Sequence, residues 1–294
     1  MTSICQRLQS FWNKSEGDDG ISWKNSGQNN FTEEGSGTWS SGGGKGAFPS
    51  WPAEPVLENK YEPKGRTLML DETMQAYQTG TGSKMIVWGH GIFGLTGPSS
   101  DKGRTKEWAD YLAGNGYNVL VPDWFRGNNM PGGWFGPDTP AWLAERSNWT
   151  NILADWETVI YPFLSKQSPS SIGLIGTCWG SYPVVRLSML GTVSAGVSMH
   201  PSHDRLLETA GEDQEEVLGL VKSPQLFLLE GDAGDSLKAG GVSGKVLGDK
   251  LTVVEFPDME HGWTTRGDLA NPLVARDVLE AKKLVLEFFG KYLD

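Results

Sequence analysis

Short apolar runs that alternate with helical patterns predict a three-layer α/β fold, with a mostly parallel central sheet covered by helices on both faces. Three observations carry this. The apolar runs are too short for helices and lack the polar alternation of a half-exposed strand. Most are punctuated by glycine or aspartate before the next pattern begins. The chain of 294 residues, 38% of them hydrophobic, also has enough material for one substantial core.

Residues 67–80, "TLMLDETMQAYQTG", read as one or two early strands. "KMIVWGHG" (84–91) is a buried strand that ends in glycines, and 104–116 has helical spacing at Trp108, Tyr111 and Leu112 before Gly114 and Gly116 stop it. "YNVLVPDW" (117–124) is a further strand, followed by a long helical segment over 139–164. "SIGLIG" (171–176) is a strand and "PVVRLSML" (183–190) a helix. Strands follow at 193–200, 225–232 and 251–258, and an amphipathic helix over 274–293 closes the series.

The first segment differs in kind. Residues 1–60 are rich in Gly, Ser and Trp and lack periodicity, so they read as a mobile extension ahead of a domain over 61–294. A docking arm using Trp12, Trp23 and Trp39 is the alternative reading. The net charge of −11 argues against a nucleic-acid partner and an anionic membrane surface. Two cysteines, Cys5 and Cys178, are too few for a disulfide framework and read as reduced thiols. No secretory pattern and no run approaching roughly 20 apolar residues is present, so a cytoplasmic protein is expected, with a monomer favoured.

In parallel sheets the working loops lie beyond the carboxyl ends of the strands. That edge receives Cys178 after "GLI", Asp232 and Asp235 after "LFLL", and His261 after "VVEF". Cys178 sits in G-x-C-x-G between a strand and a helix. Flanking glycines permit a strained turn that exposes a nucleophile and frees the next backbone N–H for an oxyanion. The alternative is a small buried thiol. The order nucleophile, acid, histidine matches that of α/β-hydrolase sheets. His261 suits the base, and Asp235, or less favourably Asp232, the orienting acid. Either aspartate could instead be a turn former.

With these residues in place the chain resembles the dienelactone hydrolase family. The resemblance runs from about residue 65 to the end. It rests on "GIFG" (Gly91–Gly94), "VLVPDWFRG" (Val119–Gly127), "GTCWG" (Gly176–Gly180), "SMHPSH" (Ser198–His203) and "HGW" (His261–Trp263). It implies hydrolysis of a small ester or lactone through a Cys-His-Asp triad and a thioacyl intermediate, without metal or cofactor. It implies Cys178 as nucleophile, His261 as base, Asp235 or Asp232 as acid, and the N–H groups of Trp179 and Ile92 as oxyanion hole. Arg126 and Arg266 are the candidate carboxylate-holding arginines. Trp124 and His200 are further candidate pocket residues, and Trp134 and Phe135 could wall the same pocket. Bacterial members carry a glutamate where this chain has Gly91. A resident Cys–His ion pair would remove the need for it, with His90 adjacent but on the other side of an extended stretch. The rival readings are a thioesterase or other acyl hydrolase of the same fold, and a catalytically weak ligand-binding or redox-sensing protein.

Overall fold

The computed structural model describes residues 61–95, 103–130 and 139–294. The expectations for residues 1–60, including Cys5 and the three early tryptophans, lie outside these residues, as do those for Trp134 and Phe135. Eight strands among the described residues form one sheet: β1 Arg66–Met69, β2 Gln75–Thr79, β3 Lys84–Gly89, β4 Asn118–Pro122, β5 Ser171–Cys178, β6 Ala195–Pro201, β7 Gln225–Glu230 and β8 Leu251–Phe256. Their spatial order is β1-β2-β4-β3-β5-β6-β7-β8. β1 and β2 are antiparallel to their neighbours, and every pairing from β4 through β8 is parallel.

Side chains alternate between two apolar layers, as the pleat requires. Ile86, Trp88, Ile175, Val197, Met199, Leu226 and Leu228 face the layer that contains helix α1 (Arg104–Gly114) and the last helix (Pro272–Tyr292). Met85, Val87, Leu120, Leu174, Phe227 and Leu229 face the opposite layer. That layer holds α2 (Thr139–Arg146), α3 (Trp149–Asp155), α4 (Tyr161–Ser165), α5 (Ser181–Leu187), α6 (His203–Thr209), α7 (Gln214–Gly219) and α8 (Val242–Leu247). Both sheet faces are covered, which is why the strands read as continuous apolar runs. A four-residue helix, α9 (Trp263–Arg266), follows β8, and α10 is the 21-residue helix Pro272–Tyr292.

The helical segment expected over 139–164 is interrupted. Asn148 caps a new start by accepting from the Asn151 N–H at 3.2 Å. A π-turn over Trp156–Ile160 then carries the chain into α4, where Pro162 lacks a donor for the regular ladder. No helix among the described residues is long and apolar enough to cross a membrane.

Candidate active site

Cys178 is the last residue of β5 and has φ 53°, a left-handed backbone that costs a non-glycine residue energy. The surrounding glycines make the turn possible. A Cβ on Gly180 would stand 2.0 Å from the Gly89 carbonyl oxygen, and one on Gly176 would stand 2.2 Å from the Gly180 oxygen. The turn is held by the Gly180 N–H donating to Thr177 O at 2.8 Å and the Ser181 hydroxyl donating to Cys178 O at 2.7 Å.

His261 follows β8 in the turn before α9 and is buried. It interacts electrostatically with the Cys178 sulfur. Its Nδ1 lies 2.6 Å from Glu230 Oε1. Burial is the largest single influence on both partners of the sulfur–imidazole pair and opposes charge on each, but the favourable contacts together outweigh it. The Cys178 thiol is pulled below its ordinary value by His261, with help from the Ser202 hydroxyl at 3.9 Å and the Ile92 N–H. The imidazole is raised to about 10 against the cost of burial, by Cys178 and by Glu230. Both shifts favour the thiolate–imidazolium form of the pair.

The acid expected at Asp235 or Asp232 is not at the imidazole. Asp235 is 96% exposed and pairs with Lys238 Nζ at 2.9 Å, and Asp232 is also exposed. Glu230, one residue before the expected loop, takes that place. It is the last residue of β7, and its longer side chain reaches His261 from the strand end itself, so no loop is needed. The readable signal was a charged residue closing the otherwise apolar run "LFLLE".

Of the other expected residues, Ile92 reaches the sulfur through its backbone N–H. Trp179 follows Cys178 in the turn, with its indole buried and Nε1 donating to Ser147 Oγ at 3.1 Å. A cleft opens beside Cys178, lined by Gly91, Phe93, His200, Thr265 and Arg266 among others, with no carboxylate on its described walls. The Arg266 guanidinium stacks on the Phe93 ring at 3.8 Å.

Arg126 and Trp124 do not line this cleft. Arg126 is held by Asp71 at 2.9 Å and Asp155 at 2.5 Å, so its fork is spent on the loop before β2 and on α3. Trp124 is buried, with Nε1 donating to Trp88 O at 3.0 Å. His90 is also committed. Its Nδ1 donates to Gly91 O at 2.9 Å, and its Nε2 accepts from the Trp124 N–H at 3.1 Å. It braces the loops around the cleft and does not approach the sulfur as a substitute for a carboxylate at position 91.

Cys178, His261 and Glu230 thus meet at one sheet edge. The model of the dienelactone hydrolase family matches residues 73–293. The chain belongs to the dienelactone hydrolase family. Members named carboxymethylenebutenolidase homolog are similar to it. That of Homo sapiens is 27% identical over 247 residues, covering 80% of this chain and 94% of the relative. That of Rattus norvegicus is 29% identical over 199 residues, covering 64% and 76%. A putative dienelactone hydrolase from Klebsiella pneumoniae superposes with a TM-score of 0.56 at 16% identity, covering 79% of this chain and all of the other, a likeness of fold. As a dienelactone hydrolase family member the chain is an ester-bond hydrolase.

Proposed function

We propose that this hydrolase cleaves a small ester or lactone through a thioacyl intermediate on Cys178, with His261 as proton carrier and Glu230 as its orienting acid. The carrying observation is the buried chain of contacts from the strained Cys178 through His261 to Glu230 Oε1 at 2.6 Å. The thiolate attacks the carbonyl carbon, and the oxyanion that forms is held by the N–H groups of Ile92 and Trp179. Collapse expels the leaving oxygen, which takes the proton from His261. Water then gives a proton to the neutral imidazole and attacks the thioacyl carbon. Expulsion of the thiolate releases the acid and restores the ion pair. In a lactone the alcohol and the acid are one product. Glu230 keeps the imidazole in the tautomer that faces sulfur and stabilises its charged form.

The test is a pre-steady-state measurement with 4-nitrophenyl acetate. The wild type is expected to release a burst of nitrophenolate that Cys178→Ala and His261→Ala lack. Glu230→Gln is expected to lose roughly 100-fold or more in kcat/KM, while Asp235→Asn stays at wild-type level. A wild-type chain with no Cys178-dependent burst would remove the thioacyl reading. Loss in Asp235→Asn, with none in Glu230→Gln, would return the acid to the loop.

A further inference from the structure

β6 carries one residue more than its neighbour requires. Thr177 pairs with Met199 and Cys178 with Pro201, so His200 is the extra residue of a β-bulge. Its φ is 38°, in the left-handed region. Regular alternation would send it to the face opposite Val197 and Met199, which pack in the layer of α1 and α10. The bulge turns it toward that layer instead. Its Nε2 lies 2.7 Å from Thr264 Oγ1 in α9, and its ring stands edge-on to His261 with centroids 5.1 Å apart.

His200 lines the cleft with Cys178, and its Nδ1 is buried without a hydrogen-bond partner. Burial, and then the neighbouring His261 charge, outweigh a smaller opposing pull from its own backbone and hold it well below the usual imidazole range, so it stays neutral beside His261. Bulges re-aim side chains next to active sites, strained backbone concentrates there, and a buried polar atom without a partner asks for one. All three fall on one residue next to the nucleophile.

We propose that His200 reads the substrate: its Nδ1 hydrogen-bonds an oxygen on the leaving alcohol, which selects esters of alcohols that carry a second oxygen. The proposal rests on the hydrolase reading above. The leaving side follows from His261, which hands its proton to the leaving oxygen and is the ring that His200 stands against. A neutral imidazole has one donor and one acceptor nitrogen. With Thr264 on Nε2, Nδ1 is complementary to a hydroxyl in either tautomer.

The test compares kcat/KM for 2-hydroxyethyl butyrate and propyl butyrate, which share an acyl group and differ by hydroxyl for methyl. Dividing by the same ratio in alkaline hydrolysis removes the intrinsic difference between the alcohols. The wild type is expected to show a corrected preference of roughly 3- to 10-fold for the hydroxyethyl ester, the size of one neutral hydrogen bond. His200→Gln can reach Thr264 but leaves the Nδ1 position empty, and its corrected ratio is expected to fall to about one. His200→Asn places an amide near the Nδ1 position and suits a left-handed backbone, so it keeps the preference. A wild-type ratio of one overturns the proposal, and so does an unchanged ratio in His200→Gln. Should His200→Gln fail to fold, the wild-type ratio and His200→Asn still decide, and loss of the preference in His200→Asn counts against the Nδ1 contact. A 4-nitrophenyl acetate burst combined with a wild-type ratio of one fails this proposal alone. Absence of the burst fails the thioacyl reading and this proposal with it.

Discussion

A Cβ built on Gly91 stands 3.6 Å from the Cβ of Cys178, an ordinary contact, and Gly91 has no left-handed backbone that would demand glycine. A side chain there would be a direct neighbour of the sulfur. Without it, the charge that reaches Cys178 comes from His261, which favours an ion pair before substrate arrives. This leads to a prediction on single residues. Alkylation of Cys178 by iodoacetamide should stay fast well below the ordinary thiol pKa of about 8.5. Gly91→Glu adds a like charge that disfavours the thiolate, so the alkylation inflection should move up by about one pH unit or more. An inflection in Gly91→Glu at the wild-type position would mean that the resting thiol does not feel that site.

The strand–turn–helix unit around Cys178 depends on backbones that touch. Gly89 and Gly180 meet where β3 passes the start of α5, and a Cβ on Gly180 would lie 2.0 Å from the Gly89 oxygen, a clash that only backbone movement relieves. Gly180→Ala is therefore expected to lose about 1–3 kcal/mol or more in urea unfolding, with a loss of ester hydrolysis as Cys178 is displaced. Gly114, at the end of α1, has nothing within 4 Å of its built Cβ. Gly114→Ala should gain about 0.4–1 kcal/mol instead. Equal effects at the two positions would argue against close backbone packing at the turn. The elements themselves were largely legible. Strands β3 to β7 were visible as apolar runs because both faces are buried, and the amphipathic stripe of α10 was visible in its spacing. The break at Asn148 and the π-turn before Pro162 were not, because the apolar period continues across both while only capping and donor loss mark the change.

At the scale of the whole molecule, buried histidines shape the response to acid between about pH 6.5 and 4. His203 packs on Phe227 with ring centroids 5.0 Å apart, and neither ring nitrogen has a hydrogen-bond partner. Burial lowers it to about 4, against a smaller opposing pull from Asp204. Between the unfolded value of about 6.5 and that folded value, the unfolded chain binds a proton that the folded chain refuses. Stability must therefore fall as pH falls through this window, by up to about 1.4 kcal/mol per pH unit for each such histidine. His261 acts in the other direction. Raised to about 10, it contributes fully below 6.5 and loses that contribution as pH rises toward 10. His203→Leu should flatten the fall in urea-unfolding free energy between pH 6.5 and 4.5. A slope equal to wild type would show that His203 is already protonated in the folded chain.

The alternation of apolar runs and helical periods, and a cysteine between glycines at a strand end, are local properties, and the sequence by itself was enough to determine them and the fold class they imply. What each loop residue meets across the sheet edge was decided only by the tertiary structure. The imidazole partner is Glu230 and not Asp235, because strand register brings the end of β7 to the turn after β8, whereas the loop beyond carries Asp235 into solvent. Arg126 is drawn away from the cleft by Asp71 and Asp155, residues distant in the chain. His200 enters it because one unpaired residue in β6 reverses the direction that strict alternation assigns. These outcomes depend on distances between strands and on a single shift of register, which no local pattern of residues encodes.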